Sequence, residues 1–348
     1  VQVHDGNGDR VIETLTPFPA FEGTPSVTMA DVNGDTVLDL VVGTGPGVAP
    51  EVVAYTGSDT PNGPFKDEIT RFTPFDAAFR GGVNVAAADI DGNALADNII
   101  VGSGPGMESQ VEVFSSTLPT EKGKAPDVFS SFTPYPGSQS GVTVATGLVS
   151  YEQGRQSIVT APGPGEPAKI RTYHYDLFTP TQRAQANGAP NPNGPGDPTM
   201  VSEFLAYDQS YTGGVSLSTG WVAGQEGGAQ SIVTGQLAGD GTVRVWSSGS
   251  RLDGAPVFYT HSMGQHSGHV EFRQTASFNP FSSGVTVATT STTAGADLLV
   301  SGVGPQGAEV IKFGLGRADP QANTLTPSVL TRLPAIPRLN GPAPLAGR

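Results

Sequence analysis

One segment recurs along the chain and limits what it can fold into. It is an apolar-alternating strand, read as GVNVAAAD (Gly82–Asp89), GVTVATG (Gly141–Gly147), GVSLSTG (Gly214–Gly220) and GVTVATT (Gly284–Thr290), with a weaker copy TPSVTMAD (Thr24–Asp31). A second strand follows each copy: DLVVGTGPG, NIIVGSGPG, SIVTAPGPG, SIVTGQLAG and LLVSGVGPQG. A third reads EVVAYT, QVEVFS, KIRTYHY, TVRVWSS and EVIKFG, and a fourth ends on aromatic residues, as in ITRFTPF, FSSFTPY, VSEFLAY and TASFNPF. Counted from Pro25, Val83, Val142, Val215 and Val285, the copies lie about 58, 59, 73 and 70 residues apart. Each unit is therefore four short strands of period two, bounded by glycine and proline, with almost no helical periodicity. Four-stranded antiparallel units repeated around an axis are propeller blades. The expected fold is an all-β propeller whose small-residue first strands sit at the crowded centre and whose aromatic fourth strands sit at the rim.

Five full units are present. VQVHD and VIETLTPF at the start match the third and fourth strands of a further unit, an N-terminal half-blade, so six blade positions are expected, one of them incomplete. Ser328–Pro334 is a candidate for the outer strand of the fifth unit. The domain is expected over residues 1–334, with residues 335–348 a Pro-rich tail or linker.

Composition narrows the function. The 348 residues carry 18 Lys and Arg against 32 Asp and Glu, a formal charge of −14, which argues against nucleic acid as a partner. There is no cysteine, hence no disulfide, zinc-thiolate site or thiol nucleophile. No run approaches the ~18 apolar residues of a membrane span.

The sharpest chemistry lies between the first and second strands of the first two units. DVNGDTVLD places side-chain oxygens at Asp31, Asn33, Asp35 and Asp39, with Val37 where a backbone carbonyl would serve. DIDGNALAD gives Asp89, Asp91, Asn93 and Asp97, with Leu95 at the carbonyl position. Calcium takes six to eight oxygens, and alternating residues of a tight loop turn theirs inward. Gly34 and Gly92 permit the sharp backbone path. The other reading is that D-x-N-G-D is good turn chemistry. DGNGDRVIE (Asp5, Asn7, Asp9, Glu13) has the same spacing but joins a third to a fourth strand, where a plain hairpin turn is the simpler reading.

Repeats and loops together resemble the FG-GAP/VCBS type, the calcium-binding propeller repeats of integrin α subunits and many secreted bacterial proteins. The resemblance covers Thr16 to Phe313. It implies calcium on the two loop sets just named, and a secreted, extracellular or cell-surface location, or a periplasmic one. Units three to five read LVSYEQGRQ, WVAGQEGGAQ and TSTTAGAD at the same place and lack the acidic set, so two Ca²⁺ sites are expected rather than five.

Other features carry weaker signals. The GTGPG-type turns lack a following Gly-Lys-Ser/Thr and a helix, so they are hairpin turns rather than phosphate loops. His261, His266 and His269 form a cluster that reads as a polar loop or as a transition-metal or proton-transfer site. Trp221, Trp246, Tyr173 and Tyr175 are either packing residues or sugar-stacking platforms. No GxSxG elbow or other catalytic constellation appears. Long insertions at Gly57–Glu68, Ser116–Pro126, Leu177–Met200 and around the His cluster all fall on the calcium-side face, where a protein or glycan partner is expected. The leading expectation is a calcium-stabilised binding or structural module that is not an enzyme, with the half-blade open to pairing in a larger surface assembly. A polysaccharide-acting enzyme or a lectin on the same scaffold is the alternative.

Overall fold

The computed structural model of the chain describes residues 1–4, 10–58, 64–90, 92, 97–116, 118, 124–149, 156–175, 197–222, 229–248, 272–292, 295–304, 307–316 and 325–336. They form a five-bladed β-propeller, with no helix among them. A two-stranded sheet, β1 (Gln2–His4) and β2 (Val11–Thr14), comes first. Blade one is β3 (Ser26–Ala30), β4 (Asp39–Gly43), β5 (Val52–Gly57) and β6 (Phe65–Phe72), and blade two is β7 (Val83–Ala88), β8 (Asn98–Ser103), β9 (Ser109–Phe114) and β10 (Val128–Tyr135). Blade three is β11 (Val142–Gly147), β12 (Ser157–Pro162), β13 (Lys169–His174) and β14 (Thr199–Leu205), and blade four is β15 (Val215–Gly220), β16 (Ser231–Gln236), β17 (Val243–Ser248) and β18 (Phe272–Phe278). Blade five is β19 (Thr286–Thr292), β20 (Gly295–Gly304), β21 (Gly307–Gly316) and β22 (Thr326–Ile336). In every blade consecutive strands pair antiparallel, and β22 includes the Ser328–Pro334 segment expected there.

Against the six blade positions expected from the sequence, the described residues form five: the strands read as a half-blade are a separate two-stranded sheet, β1–β2, paired only with each other. It stands against blade one, where Val1, Val3 and Leu15 pack on Leu40, Val42, Val53 and Phe65. The N–H of Phe65 donates to Glu13 Oε2 at 2.9 Å, which adds a polar tie. Glu13 thus serves as a structural acceptor, while Asp5, Asn7 and Asp9 lie outside the described residues.

The second strands carry a central apolar run with polar residues only where a partner is at hand, because both faces of a blade are covered by its neighbours, leaving no solvent side to alternate with. β4, β8, β12 and β16 are buried along their whole length. Each core cluster accordingly draws its members from successive blades.

The seams between blades have three layers. At the axis the first strands stand side by side, β3 by β7, β7 by β11, β11 by β15 and β15 by β19. Side chains reach across to backbone groups that have no strand beyond them. The Val85 N–H donates to Ser26 Oγ at 3.0 Å, the Val287 N–H to Ser216 Oγ at 2.9 Å, and Asn84 Nδ2 to the Val142 carbonyl at 2.9 Å. One turn along the axis, three threonine hydroxyls each donate back to the preceding blade: Thr146 to the Ala87 carbonyl, Thr219 to that of Thr146, and Thr289 to that of Thr219. At the rim a fourth-strand Phe meets a third-strand aromatic of the next blade. The pairs are Phe72–Phe114, Phe132–Tyr173, Phe204–Trp246 and Phe278–Phe313, with centroids 4.6, 4.8, 4.7 and 5.0 Å apart. So the aromatic fourth strands do mark the rim, and their rings turn into the seam.

At one end the Gly-Pro-Gly turns close the seam. The second glycine of each donates its N–H to the connector entering the next blade: Gly47 to Arg80 O (2.8 Å), Gly106 to Gln139 O (3.0 Å) and Gly165 to Thr212 O (2.8 Å). Their φ angles are 106°, 106° and 105°, a region that L side chains rarely adopt. The preceding glycines are held by space instead, since a Cβ on Gly104 or Gly163 would lie 1.8 Å from a backbone oxygen. Three arginines add a latch. Arg71, Arg171 and Arg244 lie 5.7, 5.0 and 5.0 Å over Phe18, Tyr135 and Tyr207, and each donates to the carbonyl just before its ring, at Pro17, Pro134 and Ala206.

Glu112 breaks this pattern. It sits opposite Val101 in the register that Arg171 and Arg244 occupy opposite Thr160 and Thr234. Burial pushes its carboxyl up to about 7. A carboxyl raised in the folded state costs nothing below its unfolded pKa of ~4.5, and the cost grows as pH rises towards 7. Glu112→Gln should therefore raise the melting temperature at pH 8 and leave it nearly unchanged at pH 4.5; equal gains at both would show that the charge is not the cause. Thr219→Val should cost about 1 kcal/mol in denaturant unfolding, the worth of one hydrogen bond with little change in shape.

Candidate functional site

The first acidic loop curls on its own backbone. Asp31 Oδ1 accepts from the N–H groups of Gly34 (2.7 Å) and Asp35 (3.1 Å), and its Oδ2 from Thr36 (2.7 Å). Asn33 Oδ1 accepts from the Asp35 N–H at 2.9 Å, and Asp35 Oδ1 from that of Val37 at 2.8 Å. Gly34 has φ 81°, as the sharp path requires, and Thr36 has φ 72°, uncommon for a β-branched residue. Asn33, Asp35 and Thr36 are exposed at the propeller's end.

Asp39 behaves differently. It is fully buried and takes an N–H on each oxygen, Gly57 on Oδ1 (2.8 Å) and Val32 on Oδ2 (3.0 Å). Burial pushes its carboxyl up to about 6, with the charges of Asp35 and Asp31 adding to the shift. It opens β4, and residues at or near the start of the other second strands also tie to the third strand. Asn98 Nδ2 donates to Phe114 O (2.9 Å), Ser157 meets His174 Nε2 (3.1 Å), Ser231 meets Ser247 (2.9 Å), and Asp297 pairs with Lys312 (2.8 Å). The residue that opens the second strand is thus a strand clasp in the first four blades, and in blade five the Asp297–Lys312 pair ties the same two strands further along.

The second loop starts as the first does, with the Gly92 N–H on Asp89 Oδ1 at 2.7 Å and Gly92 at φ 70°. Its spacing then departs from the expected one. Ala30 pairs with Asp39, but Ala88 pairs with Asn98, so this loop is one residue longer and Asn98, not Asp97, is the counterpart of Asp39. Asn98 Oδ1 accepts from the Ile90 N–H at 2.9 Å, as Asp39 does from Val32. Asp97 lies instead at the seam between the two loops. Its N–H donates to the Asp31 carbonyl at 2.7 Å, and its carboxyl is pushed up to about 6 by burial, with the charges of Asp89 and Asp31 adding. Asp91, Asn93 and Leu95 lie outside the described residues.

As a donor set, Asp31, Asn33 and Asp35 suit calcium, being hard oxygens with about four acceptor sites per carboxylate. In the arrangement described, those oxygens accept from the loop's own N–H groups and, at Asp35 Oδ2, from the Asn33 side-chain amide, and among the described residues no three acidic or histidine side chains converge on a common point that could hold an ion. Asp39 is committed to its clasp.

The remaining candidates fall into place around this scaffold. Trp246 is buried and donates from Nε1 to Thr234 Oγ1 at 3.1 Å, Tyr173 donates to Pro134 O at 3.3 Å, and Tyr175 is buried against Phe129. These three are seam residues with no open face for a sugar. His261, His266 and His269 and most of the long insertion from Leu177 lie outside the described residues.

The repeat pattern pointed to no cavity, but one is present. It occupies the Gly-Pro end of the axis, with a volume of about 320 Å³. Val27, Val85, Val144, Leu217 and Val287, one from each first strand, line its wall, and Pro46, Pro105 and Pro164 of the turns line its mouth. The signal was in the sequence as a branched aliphatic residue at one column of every first strand.

No family model matches the chain, and no curated protein matches it. Among solved structures it is similar to a chain of a humanized mutant of the Chaetomium thermophilum Polycomb Repressive Complex 2, at 12% identity and TM-score 0.47, over 87% of this chain and 53% of that one. It is also similar to the Chaetomium thermophilum Sqt1 bound to the N-terminus of the ribosomal protein L10, at 13% identity and TM-score 0.45, over 90% and 66% of the two chains. A third is the Bacillus licheniformis rhamnogalacturonan lyase PL11, at 14% identity and TM-score 0.39, over 88% and 57%. The chain spans about half the length of the first of these.

The clasp and the exposed loop residues separate by mutation. Without calcium, Asp39→Ala should cost about 1–3 kcal/mol by stranding two buried N–H groups, whereas Asp35→Ala should stay within about 0.5 kcal/mol. Urea unfolding with chelator present measures both.

Proposed function

We propose that this chain is a calcium-stabilised β-propeller that works as an extracellular binding module rather than as an enzyme. The observation that carries the reading is how the described polar groups are used. Ser157 and His174, the pair closest to a nucleophile and base, are both buried in a strand clasp, and Asp39 and Asn98 serve the same purpose. Polar chemistry is spent on holding a rigid scaffold, and what the scaffold offers is surface at its two ends.

Calcium enters as a proposed stabiliser of one end. Asp31, Asn33 and Asp35, with the Val37 carbonyl, would hold the first ion, and the loop from Asp89 to Asp97 the second. Binding would neutralise carboxylates that now repel one another across the seam between blades one and two. Two sites of ~10⁻⁴ M affinity should together add roughly 5 kcal/mol at about 10 mM calcium. A thermal melt should then shift clearly upward from chelator to calcium, and Asp31→Ala with Asp35→Ala should remove about half of the shift. An identical melt in both conditions, with no metal in the purified protein, would reject the calcium part and with it the resemblance to calcium-binding repeats.

A further inference from the structure

We propose that the Gly-Pro end of the axis is a docking site for a protein segment that presents an aliphatic side chain flanked by lysine or arginine. This rests on the reading of the chain as a binding module and names the partner's chemistry at the end opposite the acidic loops.

The cavity selects the central group. Its 320 Å³ lies at the small end of the range for ligand pockets, enough for a side chain or a short stretch of chain. The wall is aliphatic, with small neutral polar residues such as Asn84 and Thr143 between, and among the described residues no charged or aromatic one lines it. A charged group would lose its water there without a counter-ion. A sugar would find no ring to stack on. The aromatic residues of the same end are used elsewhere: Phe21 and Phe79 press on the glycine turns, and the Tyr211 hydroxyl donates to Gly214 O and Ala238 O.

The rim selects the flanks. Second-to-third turns and fourth-to-first connectors all emerge at this end. They carry Glu22, Asp76, Glu108, Glu166, Asp208 and Asp240, besides Glu51, which Arg71 holds at 2.8 Å. Against them stand Arg80, whose guanidinium donates to the carbonyls of Ala77 and Phe79, and Arg244, which lies over Tyr207 and donates to the Ala206 carbonyl, while Arg71 and Arg171 are paired with Glu51, Glu68 and Glu203. Five of these six acids are exposed; Asp76 and Glu108 accept from the N–H groups of Ala78 and Gly137, and the Asp240 carboxyl is held below its usual range by the Thr242 hydroxyl. A neutral aliphatic socket inside an acidic rim complements an aliphatic anchor between basic residues, with the rim steering approach and the socket setting the lifetime.

The test is selection from a displayed random peptide library on the full chain, followed by affinity measurement with the consensus peptide. Enriched peptides should carry Leu, Ile or Val flanked by Lys or Arg. Binding should weaken tenfold or more on Thr143→Phe, which fills the socket, and on the surface triple variant Asp76→Lys, Glu108→Lys and Asp208→Lys. It should also weaken as salt rises from 50 to 300 mM. Peptides that bind with equal affinity to both variants would place recognition elsewhere, overturning this site while leaving the binding-module reading standing. Enrichment of aromatic or acidic peptides would overturn the proposed chemistry. Recovery of no peptide at all would count against both. The triple variant keeps the question decidable should Thr143→Phe fail to fold.

Discussion

Each blade turns its first strand to the axis with no strand beyond it, and every backbone group left there must find a partner or cost roughly 1–3 kcal/mol. The hydroxyls of Ser26, Ser216, Thr146, Thr219 and Thr289 and the amide of Asn84 supply those partners, always from the neighbouring blade. The same contacts that satisfy an exposed sheet edge therefore also join the blades. Much of the sequence follows from this. First strands must be small enough to crowd together yet polar at alternate positions, which is what GVTVATG and GVSLSTG provide.

Outward from the axis the seam changes material but not purpose. Valine and isoleucine fill its middle, aromatic pairs its rim, and arginines over Phe18, Tyr135 and Tyr207 fasten the connectors. With no cysteine to staple the blades, the load falls on such repeated small contacts, each of order 1 kcal/mol. Rigidity of this kind leaves both ends of the propeller free to vary without disturbing the core.

The repeat made the strands legible, because period-two alternation between glycine turns survives divergence between copies. The count of five four-stranded units and the separate two-stranded sheet could be read for the same reason. Register within a loop was harder. Counting nine residues from Asp89 lands on Asp97, whereas the pairing of Ala88 with Asn98 shows one residue more than in the first loop. Asp39 illustrates a second limit: the residue type that ligates calcium also makes a buried clasp, and only the partners Gly57 and Val32 reveal the clasp. The cavity is not legible in any one segment, because its wall is assembled from five strands some 60 to 70 residues apart, each ordinary on its own.

Native-state hydrogen exchange tests the central claim, that contacts across the seams make the five blades one cooperative body. The amides of Val85, Val287, Gly47, Gly106 and Gly165 all donate across a seam. If the account is right, the free energy of opening at Val85 and Val287 equals that of global unfolding, and the three turn glycines, although at the surface, are protected well beyond ordinary turns. Exchange at these sites as fast as in an unfolded chain, or protection that differs blade by blade, would contradict it.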